Sequence, residues 1–150
     1  MRSPKPLSAA AYRSIVATMP IATVDAVVVW RGSFLLGRRN KKPAQGRWWV
    51  PGGRILKGET QQKALARKLR EETGLSIKSS SFIGAFDALF PDSHWGVAAH
   101  CIKLLYLVQP RSITKLQTDA QHGEFRWFKK IDPSWHPYLK QQLLAAGFKY

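Results

Sequence analysis

The stretch from Ala44 to Leu75, AQGRWWVPGGRILKGETQQKALARKLREETGL, constrains this chain more than any other part of it. Arg47 to Pro51 is aromatic and extended, and Gly52-Gly53 then allows a sharp turn and a close backbone approach to a ligand. Thr60 to Thr73 reads as a helix, and Gly74 stands where a left-handed C-cap belongs. The helix ends on two adjacent carboxylates, Glu71 and Glu72. A glycine turn feeding such a helix suits a hard cation and a phosphate ester.

On a helical wheel of roughly 100° per residue, Leu65, Leu69 and Glu72 share one apolar stripe, with Arg67, Lys68 and Glu71 on its flank. An inward carboxylate needs donors or a cation, because unpaired burial is costly. Arg67 lies four residues before Glu71, so a salt bridge answers the need on the flank. A Mg²⁺ ion is the other solution, since it takes carboxylates, carbonyls and phosphate oxygens together.

The flanking segments read as one layered domain over residues 1–150, with residues 1–7 a loose arm. Ser8 caps a short helix that Pro20 stops. Ile21 to Trp30 is a β-branched strand interrupted by Asp25, a carboxylate that either faces a cleft, pairs with a base or marks an edge position. Arg31-Gly32 turns into a second strand at Phe34 to Gly37. Strands are expected at Ser81 to Phe90, Val97 to Val108 and Glu124 to Lys129. The second of these is apolar on both faces and therefore central. Pro137 opens a last helix running to Ala146. Interleaved strands and helices place the chain in the α/β or α+β class.

Charge and cysteine content bound the partners. The formal net charge of +15 favours polyanions, but there is no long basic tail, so a nucleotide ligand ranks above nucleic acid. The single cysteine, Cys101, excludes an internal disulfide and suits a reducing, cytoplasmic setting. No apolar run is long enough to span a membrane.

Gly53, Glu59, Arg67, Leu69, Glu71, Glu72, Gly74 and Leu75 together resemble the Nudix box, G-x5-E-x7-R-E-U-x-E-E-x-G-U, where U is a bulky aliphatic residue. Lys68 stands where the box has its first helical glutamate. The resemblance implies a Nudix-type α/β/α sandwich with a mixed β-sheet, and cleavage of a nucleoside diphosphate linked to another moiety. A protonated lysine cannot ligate Mg²⁺ and opposes a second cation nearby, so one divalent ion is expected, held chiefly by Glu72. Glu71 is then an ancillary ligand or the partner of Arg67. Glu59 is expected to pair with Arg67.

Within that family, Leu35 to Thr60 and Ala120 to Phe128 resemble the GDP-mannose mannosyl hydrolase group. The resemblance implies a GDP-hexose substrate, attack of water at the anomeric carbon, a single Mg²⁺ (or Mn²⁺) and a homodimer. It assigns the metal to Glu72, Gln121 and the Gly52 carbonyl, with Glu71 ancillary. Arg39 and Arg54 match arginines that stabilise the diphosphate, and His122 matches the general base. Asp25 would orient sugar or water, and Tyr12 and Phe90 match aromatic positions near the base. Cys101 departs from the group by replacing a tyrosine.

Other readings stay open. Cleavage at phosphorus is one, and a non-catalytic fold holding a nucleotide or RNA is another. His122 beside Gly123 also reads as a solvent-facing turn residue. His100 reads as a packed, hydrogen-bonded histidine, His136 as a helix cap, and Trp48, Trp49 and Trp127 as core.

Overall fold

The strand Ile21–Trp30 (β1) lies inside the sheet because both of its faces are apolar enough to be covered. The computed structural model describes residues 4–118 and 122–150. Helix α1 (Ala9–Thr18), capped by the Ser8 side chain, precedes β1. The chain continues through β2 (Ser33–Arg39), β3 (Trp48–Trp49), β4 (Gly52–Arg54), α2 (Gln61–Thr73), β5 (Ile77–Phe90), β6 (Ala99–Pro110), β7 (His122–Phe128) and α3 (Pro137–Ala145). The described strands form one mixed sheet in the order β3-β2-β1-β6-β5, with β4 on β1 and β7 on β2.

One edge of β1 runs parallel to β6 from Ile21 to Val28. Its other edge is divided. Thr23 to Asp25 pair with β4, and Val29 and Trp30 pair with β2. That division lets the short strand β4 in, with Gly52 set directly opposite Asp25. The simple edge position for Asp25 is thereby set aside, because β1 has neighbours on both sides at that residue.

Alternation along β1 sorts the core into two layers. Val24, Ala26 and Val28 meet Ala64, Leu65 and Leu69 of α2. Ile21 and Val27 meet Val16 of α1 and Leu139 and Leu143 of α3. The result is the expected α/β/α sandwich. Leu65 and Leu69 are essentially fully buried, and each such side chain contributes about 1.5–3 kcal/mol. Helix α2 starts at Thr60, whose hydroxyl accepts from the Lys63 N–H, and ends at Gly74 with φ 76°. A side chain at Gly74 would be strained there and would also press on the Lys115 carbonyl.

Some boundaries differ from the sequence reading. β5 begins at Ile77, four residues before Ser81, because antiparallel pairing with β6 carries polar Lys78 to Ser80 into the ladder. β6 is displaced two residues, to Ala99–Pro110, and β7 starts at His122. His136 does cap α3, its ring nitrogen accepting from the Tyr138 N–H. Trp49 is core, and Trp48 and Trp127 pack against the two core layers. His100 is not packed. Its side chain is 43% exposed and faces Asp87 at 3.9 Å, because its position points to the open face of the long β5–β6 hairpin.

Candidate active site

Gly52 and Gly53, read from the sequence as a sharp turn, instead form strand β4, neither with a positive φ, because both pair with β1. This strand meets the end of α2 at Glu72. Helical spacing aims this residue at the core, and its exposure is 2%. The Gly52 N–H donates to Oε2 at 3.0 Å, and the Lys68 ammonium sits 3.1 Å from Oε1. Burial pushes the Glu72 carboxyl above the usual carboxylate range, while the Lys68 ammonium, His122 and the Gly52 N–H pull it back. Crowding fixes Gly52 more strictly than Gly53, whose neighbour is the flexible end of a lysine. A Cβ on Gly52 would collide with the Asp25 carboxylate and the Val24 carbonyl, and one on Gly53 would collide with the Lys68 stem.

Arg67 ties the loop to the helix. Its Nε and Nη2 donate to the two oxygens of Glu59 at 2.6 and 2.9 Å, and Nη2 also donates to the Arg54 carbonyl at 2.9 Å. Nη1 reaches Glu71 at 3.3–3.4 Å. Glu71 thus partners Arg67 at the solvent edge. The hydrogen bonds from Arg67 hold the Glu59 carboxyl below the ordinary glutamate range, burial works against them, and the Leu56 N–H adds to the lowering. A carboxyl lowered in the folded state stabilises the fold above its unfolded pKa and loses that contribution as the pH falls through the folded one. The melting temperature of Glu59→Gln should therefore lie below that of the parent at pH 7, and the gap should close on acidification below about pH 4. A gap that stays constant with pH would remove the ionised pair from the stability of the loop.

Beside β4 lies a cavity of about 520 Å³. Its walls bring together Tyr12, Asp25, Arg39, Gly52, Arg54 and Phe90, residues from five separate elements. Cations crowd it: Arg39, Lys41, Lys42, Arg54, Lys68 and Lys103. A concave wall of one sign focuses the field and selects anions. Arg39 is held by donating from Nε to the Pro43 carbonyl at 2.8 Å. Burial lowers its pKa, and Glu72 and Asp25 act to raise it, but a guanidinium remains charged. The Arg54 guanidinium lies 4.6 Å from the centre of the Tyr12 ring, a cation–π contact. Trp95 meets the same ring edge-on at 4.7 Å. Phe90 is enclosed by Trp49, His136 and Tyr138 and so forms wall rather than a free stacking face.

The cavity floor carries a group that the sequence reading missed. Asp25 is 3% exposed, and its Oδ2 accepts from Lys103 Nζ at 2.9 Å and from Gln142 Nε2 at 2.7 Å. Lys103 also lies 5.4 Å from the centre of the Trp49 ring. Asp25 therefore both faces a cleft and pairs with a base. Lys103 was detectable in principle, as the one charge inside an apolar central strand, and Gln142 as an amide on the apolar side of α3. Cys101 lines the cavity too, and burial pushes its thiol up.

His122 is not a solvent-facing turn residue: it is 1% exposed. A register shift in the β2–β7 pair between Gly37 and Arg39 sets it opposite Arg39. Its ring packs over Gly37 and lies 5.2 Å from the Phe125 ring. Neither His122 nor Glu72 is part of the cavity wall proper, although His122 acts to lower the Glu72 carboxyl. Gln121, which the resemblance assigns to the metal, lies outside the described residues.

Among the described residues no three His, Cys, Asp or Glu side chains converge as a ready metal cage. What converges is the buried Glu72 with Glu71 beside it, both hard oxygen donors. Such a pair fits a divalent ion that keeps waters and takes phosphate oxygens. Gly52 meets this carboxylate through its amide, whereas the expected contribution was its carbonyl.

The family model of the NUDIX domain matches residues 19–143. The chain is 34% identical over 139 residues to the low-salt glycan biosynthesis protein Agl8 of Haloferax volcanii, covering 89% of this chain and 86% of that one. It is 30% identical over 107 residues to an ADP-ribose pyrophosphatase of Methanocaldococcus jannaschii, covering 71% of this chain and 61% of that one. The fold matches that of a MutT NUDIX hydrolase from Burkholderia pseudomallei with a TM-score of 0.73 at 20% identity, over 85% of this chain and 98% of that one. A domain match over most of the chain, a relative matched over most of its length and a shared fold agree with the Glu59–Arg67 tie and the inward Glu72: the chain is a member of the Nudix hydrolase family.

Proposed function

We propose that this chain hydrolyses a GDP-sugar of the GDP-mannose type to GDP and free hexose, by attack of water at the anomeric carbon. The observation that carries the reading is the shape of charge in the cavity. An arginine- and lysine-lined wall suits a diphosphate, and the floor of Asp25 and Lys103, braced from behind by Gln142, suits a polyhydroxylated ring. A relative named for glycan biosynthesis is consistent with a nucleotide-sugar substrate.

In this reading the water loses its proton to His122 as its oxygen bonds to the anomeric carbon. The bond from that carbon to the β-phosphate oxygen breaks, and GDP leaves with the electron pair. Arg39 and Arg54 oppose the charge that develops on the leaving diphosphate. Asp25, held through Oδ2 by Lys103 and Gln142, orients sugar hydroxyls. A divalent ion, Mg²⁺ by its hardness, would be held by Glu72 with Glu71, and with Gln121 as the resemblance implies. It would supply further charge neutralisation at the diphosphate.

The helix argues for a base elsewhere. Glu59 is engaged by Arg67, and Glu72 by Lys68 and Gly52. The competing reading, attack at phosphorus, is favoured by the ADP-ribose pyrophosphatase relative. Hydrolysis of GDP-mannose in ¹⁸O-water separates them. The label is expected in the hexose, with unlabelled GDP as the other product. Label in GMP or in sugar phosphate would establish the competing reading instead.

A further inference from the structure

The Lys68 side chain is placed where a lysine on a helix flank has no need to be. A solvated lysine keeps its ammonium in water, yet this side chain is only 13% exposed. Its stem lies against Gly53, close enough that a methyl group there would displace it. Its ammonium ends 3.1 Å from Glu72 Oε1 and 3.5 Å from Glu71 Oε2. The other oxygen of Glu72 is taken by the Gly52 N–H. A single positive charge therefore lies between the two carboxylates that fit a divalent ion, and it is carried by the chain itself.

We propose that Lys68 is a tethered cation that competes with the divalent ion for Glu72, so that ion binding requires the ammonium to leave Oε1. The distances argue for exclusion. A Mg²⁺ ion binds oxygen at about 2.0–2.1 Å. An ion at that distance from Oε1, on the side facing Glu71, overlaps the space the ammonium fills. The charges add to the conflict, because an ammonium and a divalent ion at van der Waals separation repel strongly in a partly desolvated site. The ammonium also has somewhere to go. Lys68 lines the cavity together with Gly53 and Arg54, so a turn about its terminal bonds carries the charge from Glu72 toward the wall assigned to the diphosphate. In the ion-free protein Lys68 meets the cost of burying Glu72. In the ion-bound protein it becomes one more cation facing the substrate.

The inference rests on the reading of Glu71 and Glu72 as ion ligands, and its test reads ion occupancy, not catalysis. Mn²⁺ is titrated into the full chain at fixed pH, and free Mn²⁺ is followed by its electron paramagnetic resonance signal. Lys68→Met is expected to bind Mn²⁺ at least about tenfold more tightly than the parent, which a change of one ion-pair partner readily supplies. Lys68→Arg, which keeps the charge, is expected to stay within about threefold of the parent. If Lys68→Met fails to fold, as judged by its circular dichroism, Lys68→Gln takes its place with the same expectation. Binding by the neutral variant no tighter than by the parent overturns the competition while leaving the carboxylates as ion ligands. No Mn²⁺ uptake by any variant at millimolar concentration overturns it together with the ion reading of the carboxylates. The result is independent of which nucleotide the protein cleaves.

Discussion

Replacing Lys103 by methionine is expected to lower folding stability by about 3 kcal/mol, and by up to about 5 kcal/mol where water does not reach the site. Lys103 and Asp25 form a pair whose side chains are only 10% and 4% exposed. Removing one member leaves the other charge buried without its counter-ion, and that uncompensated desolvation is the main cost. Gln142 still donates to Asp25 Oδ2, and the cavity admits water, so the lower end of the range applies. The double replacement Asp25→Asn with Lys103→Met should recover most of the loss, since replacing a whole buried pair by neutral groups is often close to neutral in stability. Urea unfolding of the three variants measures this, with unchanged m-values as the check that the unfolded state is the same. A Lys103→Met variant within about 0.5 kcal/mol of the parent would mean that the pair contributes nothing to the fold.

The second large effect is expected at His122. His122→Gln should reduce turnover of GDP-mannose by about 10²–10⁴-fold, the range for a lost general base. Glutamine keeps a hydrogen-bonding group of similar reach, but it cannot accept the proton of a water molecule at neutral pH. The position also has a packing role, because the ring lies over Gly37 and beside Phe125. The melting temperature must therefore be read with the rate. Turnover per folded molecule that stays at the parental value, with only stability reduced, would make His122 a packing residue and return the search for a base to the α2 carboxylates.

The two positions differ in how far the sequence exposes them. His122 is reached by a family resemblance over Ala120 to Phe128 and by no local pattern. Its burial follows from the β2–β7 register, which brings it opposite Arg39, a residue 83 positions away, across a shifted pair. Phe90 shows the reverse case. The resemblance points to a base-stacking aromatic, yet three neighbouring rings enclose it, and those rings arrive from β3 and from the start of α3. Resemblance transfers residue types to positions; it does not transfer the neighbours that decide which face of a ring is open.

The sequence by itself determined α2: the Thr60 cap, the Gly74 stop and the inward Glu72. Each is a relation over a few residues, set by helical periodicity, capping and backbone freedom, and such relations survive whatever the rest of the chain does. The tertiary structure alone decided the cavity floor. Asp25 meets Lys103 across 78 residues and Gln142 across 117, and those contacts exist only because β6 lies parallel beside β1 and α3 packs on the same face. It also decided the state of Lys68, whose spacing from Glu72 is local but whose burial depends on Gly53 being brought under its stem by the pairing of β4 with β1.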